Sequence, residues 1–192
     1  KPLGGLIEYM AHDVSTFPRD GYRMVFTDNH DMNSWNGNQE ANFGAALKAS
    51  IVLCGTINGM PLVYGGQEAG LNRSLKFFEK DQIDWSKMPY EGLFKKLFDL
   101  KHRNHALWNG EQGGVMIRIF NDKPEQVISF SRSQNGNQVI PIINYSDKPV
   151  TVTLDSKYQK GTYTELFSNA SFELKGNDVI TLAPWNYLVL TK

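Results

Sequence analysis

Short segments that alternate polar and apolar residues fill the chain from residue 115 onward. A period of two residues is typical of strands that bury one face, and closely spaced strands of this kind favour an antiparallel β-sandwich or barrel. The loop-forming composition of residues 109–114 precedes them, so we place a domain boundary there, between residues 1–110 and 111–192. The predicted strands are 115–120, 127–131, 138–144, 150–154, 161–166, 171–174, 179–182 and 187–190.

The part of the chain before this boundary follows a different pattern. Apolar runs at residues 22–26 and 60–64 are each bounded by glycine, proline or polar residues, as expected of strands buried on both faces. Apolar stripes of helical period predict helices at 39–57 and 90–107, and a shorter one within residues 1–17. We interpret residues 32–38, rich in asparagine, as a loop. Strands that alternate with helices indicate an α/β region with a parallel sheet.

Polar residues follow the first of these strands at once. Asp28, Asn29, His30 and Asp31 come directly after the apolar run. The carboxyl end of a parallel strand is where α/β proteins commonly place their chemistry. The alternative is a solvated turn, because asparagine and aspartate are also common turn formers.

Composition bears on the kinds of molecule that the protein binds. The 192 residues are 41% hydrophobic and 21% charged, with a formal net charge of zero, which gives no indication of nucleic-acid or membrane binding. Cys54 is the only cysteine, so no intrachain disulfide is possible, and we interpret it as a small buried apolar residue. The chain begins at Lys1 rather than Met, as expected of a mature product or of an excised piece.

Three segments carry a resemblance to a known family. FTDNHD (26–31) resembles the fourth signature block of the α-amylase family of glycoside hydrolases, family 13, which lies at the end of barrel strand seven. GMPLVYGGQE (59–68) resembles the strand-eight segment of that family, and APWNYLVL (183–190) resembles the last strand of its C-terminal sandwich. The resemblance implies the C-terminal part of a TIM (β/α)8 barrel followed by an antiparallel β-sandwich.

The same resemblance implies roles for two residues. Asp31 matches the carboxylate that stabilises the oxocarbenium-like transition state, and His30 matches the histidine that binds hydroxyls of the same sugar. The nucleophile and the general acid come from strands four and five of the family, which this sequence does not contain. We therefore expect part of a retaining hydrolase or transglycosylase acting on starch or maltooligosaccharides, inactive alone, whose partners are an α-glucan and the missing barrel portion. Self-association of the fragment is a further expectation.

No cofactor or metal site is expected in this chain, because it has no D-x-D-x-D-G loop and the calcium site of the family is built mostly by other segments. The sequence does not define the cellular location of the protein, and we expect an extracellular or periplasmic parent protein.

Other classes of protein remain as alternatives. A non-catalytic carbohydrate-binding module would use tryptophan rings such as Trp35, although that side chain also fits a packing role. A purely structural domain is a second alternative. A complete small hydrolase would need Asp28, Asp31 and Glu68 as its carboxylates, but strand alternation would point Asp28 and Asp31 to opposite faces.

Overall fold

The structure is a computed structural model that describes residues 3–192, with the backbone only at positions 13 and 14. Within residues 3–192, no helix has both the length and the apolar character needed to cross a membrane. The helices are α1 (Leu3–Thr16), α2 (His30–Trp35), α3 (Gln39–Phe43), α4 (Leu47–Thr56) and α5 (Glu91–Arg103), with single 3₁₀ turns at Gly44–Ala46, His105–Leu107 and Gly110–Gln112.

The strands account for most of the regular structure after residue 115. They are β1 (Met24–Val25), β2 (Met60–Pro61), β3 (Met116–Arg118), β4 (Val127–Gln134), β5 (Asn137–Asn144), β6 (Val150–Leu154), β7 (Gly161–Glu165), β8 (Ser171–Leu174), β9 (Asp178–Leu182) and β10 (Tyr187–Thr191). Each strand predicted from the alternating pattern is confirmed, with ends shifted by a few residues.

Two antiparallel sheets form the C-terminal region. The larger sheet has the order β3-β4-β5-β10-β7-β8, and β6 pairs with β9 in the smaller sheet. Side chains of both sheets, including Ile140 and Ile142 of β5 and Leu190 of β10, form one apolar core. This is the predicted sandwich.

The outer face of the larger sheet is covered as well. Val139 and Ile143 of β5 and Val189 of β10 point away from the sandwich core and pack in a second core with Leu47 of α4 and Leu97 of α5. The central strands are therefore buried on both faces, and the apolar packing continues across the domain boundary that we predict at residue 110.

The N-terminal strands pair as predicted but differ in burial. β1 and β2 run parallel, with Met24 opposite Met60 and Val25 opposite Pro61. The prediction of burial on both faces is wrong in this chain, since Met24 is 51% exposed and Met60 is 43% exposed. A strand pair needs further layers on its faces to be buried, and the described residues supply few. Of the strands of a barrel, the described residues contain only the parallel pair of β1 and β2. That this region is part of a barrel therefore stays a prediction.

Local capping explains two departures from the predicted helices. The segment predicted as a loop after Asp31 instead contains α2, because the Asn29 side chain accepts a hydrogen bond from the Met32 backbone N–H (2.7 Å) and caps the helix. The predicted helix at 39–57 is divided into α3 and α4 at Gly44, whose φ of +50° lies in a region that favours glycine.

One buried cation joins the two regions. The Arg132 side chain of β4, 1% exposed, donates hydrogen bonds to the backbone carbonyls of Thr56 and Ile57 at the end of α4 (3.2 and 2.9 Å) and to those of Trp108 and Gly114 (2.7 and 3.0 Å). Carbonyls at a helix C-terminus lack intrahelical hydrogen-bond donors, and the Arg132 guanidinium donates to them instead. Burial lowers the pKa of Arg132 to about 10.

Candidate functional site

The polar cluster lies where β1 ends and α2 begins. Asp28 is 2% exposed, and its carboxylate accepts hydrogen bonds from the Asn29 backbone N–H (3.0 Å) and from the Asn33 side chain (3.2 Å). Burial raises the pKa of Asp28, an effect that these hydrogen bonds partly oppose. Asp28 therefore supports the backbone of the site, as we expect of a structural residue, and does not face solvent.

His30 and Asp31 occupy the first turn of α2 and face solvent. Their side chains are 63% and 65% exposed, and His30 Nε2 lies 3.5 Å from an Asp31 carboxylate oxygen. Asp28 and Asp31 do have opposite environments, but strand alternation is the wrong reason, because Asp31 belongs to a helix. The site therefore presents to solvent the Asp31 carboxylate, a hydrogen-bond acceptor, beside the His30 imidazole.

A buried amide network fixes this end of β1 to the turn after β2. The Gln67 side-chain amide donates to Thr27 Oγ1 (2.7 Å) and to Gln39 Oε1 (2.8 Å), while Gln67 Oε1 accepts from the Tyr64 backbone N–H (2.7 Å). The Gln39 amide donates in return to the Gln67 carbonyl (3.2 Å). Thr27, Gln39 and Gln67 are all buried, so this network sets how the two motif segments meet.

Our sequence analysis missed the network. Gln67 belongs to the GMPLVYGGQE segment, and Gln39 begins α3, yet neither stands in a periodic pattern that indicates burial. The only available signal was the occurrence of an amide side chain within the second motif.

The arrangement gives little support to a complete small hydrolase that uses Asp28, Asp31 and Glu68. Retaining hydrolysis needs two carboxyl groups about 5 Å apart. Among the described residues, Asp28 accepts hydrogen bonds from Asn33 and from the backbone of Asn29 and Gln39, and the ionic neighbour of Asp31 is His30. One oxygen of Glu68 is buried without a hydrogen-bond partner in the described part of the chain.

Metal and thiol chemistry find no support in residues 3–192. Among the side chains that the structure describes, those of residues 3–12 and 15–192, no group of three or more histidine, cysteine, aspartate or glutamate residues has metal-binding geometry. Burial raises the pKa of the Cys54 thiol to about 12, so the thiol stays protonated at neutral pH.

Tryptophan rings, the basis of the carbohydrate-binding alternative, lie in different settings. Trp185 packs edge-on against Tyr145, with ring centroids 5.9 Å apart, and Trp108 lies over His105 at 4.0 Å. Trp35 of α2 is exposed and contacts Phe77, with centroids 5.5 Å apart. Among these three, Trp35 is the ring on the same helix as His30 and Asp31.

Comparison with known proteins shows what this chain is similar to. The family model of the maltogenic amylase C-terminal domain matches residues 117–189, which lie in the sandwich. A β/α-amylase of Paenibacillus polymyxa is 30% identical over 181 residues, covering 88% of this chain and 14% of the relative. An α-amylase of Dictyoglomus thermophilum is 29% identical over 161 residues, covering 76% of this chain and 26% of the relative.

Solved amylase structures share the fold. A maltogenic α-amylase, AmyB of Thermotoga neapolitana, matches 100% of this chain and 46% of its own, with a TM-score of 0.82 and 23% identity. AmyP, solved in complex with maltose, matches 100% of this chain and 44% of its own, with a TM-score of 0.73 and 16% identity.

Over most of its length the chain resembles members of the α-amylase family of glycoside hydrolases. Its sandwich corresponds to the C-terminal domain found in maltogenic amylases. The chain spans about a seventh and a quarter of the two curated relatives described above.

Proposed function

We propose that this chain forms one side of the sugar-binding cleft of a retaining α-glucan hydrolase or transglycosylase. In this proposal residues 1–110 are the C-terminal portion of a (β/α)8 barrel, and residues 111–192 are the sandwich that follows it. The observation that carries the proposal is the exposed pair His30 and Asp31, directly after a strand that pairs in parallel with β2. Barrel enzymes place their reacting groups at this end of the strands.

Asp31 acts by electrostatics in this mechanism. Cleavage of a glycosidic bond develops positive charge on the sugar ring, and a carboxylate fixed beside that ring stabilises the transition state more than the ground state. Asp31 lies in a turn whose neighbouring residues are held, because Asn29 caps the Met32 N–H and the Asn29 N–H donates to the buried Asp28. This support limits the motion of the carboxylate and so reduces the reorganisation needed during reaction.

His30 binds and orients the sugar. Its imidazole has one donor and one acceptor in the neutral form, which suits the vicinal hydroxyl groups of a pyranose. A nucleophile and a general acid must come from another portion of the barrel, and we infer that the chain alone has no hydrolytic activity. A solved relative by fold, AmyP, was obtained with maltose bound, which supports an α-glucan as the sugar.

The test has two stages. The chain alone is first assayed on maltooligosaccharides and soluble starch, and we expect no turnover. It is then joined to the preceding portion of the Dictyoglomus α-amylase, and Asp31→Asn is compared with Asp99→Asn, an exposed aspartate of α5 paired only loosely with Lys95 at 3.7 Å. We expect kcat/KM to fall about a thousandfold in D31N, comparable to the loss of a preorganised electrostatic group, and to stay unchanged in D99N.

His30→Ala in the same joined enzyme should raise KM more than it lowers kcat, since it removes binding to the ground state and the transition state alike. If the isolated chain turned over substrate and D31N abolished that turnover, the proposal that the chain alone is inactive would be contradicted. Full activity of D31N in the joined enzyme would overturn the role of Asp31.

A further inference from the structure

Three aromatic rings form an exposed cluster on the surface beside His30. Phe78 is 86% exposed, Trp35 63% and Phe77 43%. Phe77 contacts Phe78 edge-to-face with centroids 4.8 Å apart, and it also contacts Trp35 at 5.5 Å. Rings this large seldom remain together in water unless they contact a ligand or a partner.

The cluster is continuous with the candidate site. The Phe77 ring lies 6.0 Å from the His30 ring, centroid to centroid, and Trp35 ends the helix that His30 begins. A ligand that contacts His30 and Asp31 therefore meets these aromatic faces as it extends along the surface.

The loop that carries the two phenylalanines is held in place. The Asn33 side chain, fully buried, accepts a hydrogen bond from the Leu75 backbone N–H (2.7 Å) and donates to the Arg73 carbonyl (3.2 Å). Arg73 forms a bidentate pair with Asp81 (2.7 and 2.9 Å). The backbone of the loop that carries the rings is thus held before any ligand arrives, which lowers the entropic cost of binding.

The charges around the rings indicate a neutral ligand. Lys76 and Glu79, which flank the two phenylalanines, pair with each other at 2.7 Å, and Arg73 is paired with Asp81. The charges compensate within these two pairs and leave Lys80 as the one further charge of residues 73–81, so the loop offers apolar faces with a polar edge of low net charge. A pyranose ring matches this surface, because its C–H face is attracted to the negative face of an aromatic ring while its hydroxyls reach the polar edge.

We propose that Trp35, Phe77 and Phe78 are a stacking surface for a pyranose unit of an α-glucan, extending the site of His30 and Asp31 to a further sugar. The identity of the sugar rests on the proposed function. Phe78, the most exposed ring, is the one whose removal disturbs the protein least.

The test is a titration of the 192-residue chain with maltoheptaose, followed by calorimetry and by tryptophan fluorescence. We expect Phe78→Ala to weaken binding about tenfold, the equivalent of one stacked ring. The matched control is Tyr158→Ala, which removes another ring of similar exposure, 83%, after β6 of the sandwich. It should leave the affinity unchanged. Trp35→Phe should retain binding and lose the fluorescence response.

Three results would overturn the stacking surface. They are equal affinity of F78A and the unmutated chain, no binding of maltoheptaose by the unmutated chain at millimolar concentration, and self-association of the chain that F78A abolishes without any sugar binding. None of them involves Asp31. The proposed function fails separately, by retained activity of D31N in the joined enzyme.

Discussion

The two regions of this chain bury their strands to very different degrees. β5 and β10 of the sandwich pair over five residues, from Tyr187 opposite Ile143 to Thr191 opposite Val139, and Ile140 and Ile142 are fully buried. β1 and β2 pair over two residues and leave Met24 half exposed. The continuous apolar runs of β1 and β2 predict more burial than the alternating pattern of the sandwich strands, yet β1 and β2 are the more exposed, so hydrophobic pattern alone does not decide burial.

The difference follows from how each kind of sheet is completed. Antiparallel strands joined by short turns can close a core within a short stretch of chain. Residues 116–191 therefore contain both sheets of the sandwich and the core between them. Parallel strands need crossover helices and further strands on both sides before they are buried. The helices α4 and α5 instead pack on the outer face of the sandwich, which they help to bury.

Truncation of one buried and one exposed strand residue should show the largest contrast. Ile142→Ala removes a fully buried side chain from the sandwich core, and we expect a loss of about 2–5 kcal/mol in the free energy of unfolding. Met24→Ala removes an exposed side chain and should cost less than about 0.5 kcal/mol. Urea denaturation followed by circular dichroism measures both. Equal losses would mean that β1 is packed as tightly as β5, and a larger loss for M24A in the joined enzyme would show that the preceding portion covers β1.

Removal of Arg132 tests whether the two regions stabilise each other. Arg132→Met keeps most of the volume but leaves four carbonyls without their donor, and we expect a loss of about 3 kcal/mol in the free energy of unfolding, partly offset by relief of the buried charge. Arg118→Met on the exposed edge strand β3 is the control and should change little. An unchanged urea midpoint for R132M would show that the link between α4 and β4 contributes nothing to stability.

The smallest expected effect is a dependence on pH at the same junction. Burial, and to a lesser degree the charge of Arg132, lowers the pKa of Lys101 to about 8 from 10.5. Between about pH 8 and 10 the unfolded chain binds more protons at this residue than the folded chain, so its contribution to the free energy of unfolding rises with pH, by at most about 1 kcal/mol per unit.

Lys101→Met should therefore remove part of the rise in stability between pH 8 and 9. Folding raises the pKa of the Cys54 thiol from 9.0 to about 12, so Cys54 contributes a slope of the opposite sign near pH 9, and this slope is common to both proteins. Lys95→Met, on the exposed side of the same helix, should leave the slope unchanged. Identical slopes in the unmutated chain and in K101M would contradict a lowered pKa.

Local sequence patterns predicted the strands of the sandwich because alternation, turn residues and burial agree over short distances. Through the order of the two motifs, they also predicted that β1 and β2 pair in parallel. They failed at α2, where a single cap by Asn29 turns a loop-like composition into a helix and so places Asp31 on a helical turn. They could not reveal the amide network of Gln67, since its partners Thr27 and Gln39 are 40 and 28 residues away along the chain.

The sequence by itself determined which segments become strands, which segments carry the family motifs, and that His30 and Asp31 stand together. The tertiary structure decided that Asp28 is buried while Asp31 is exposed, that Phe77 meets both His30 and Trp35, and that Arg132 bridges α4 to the sandwich. The physical reason is the range of the interactions. Periodicity and capping act between residues a few positions apart, whereas burial, ring contacts and the partners of a buried charge depend on segments that only folding brings together.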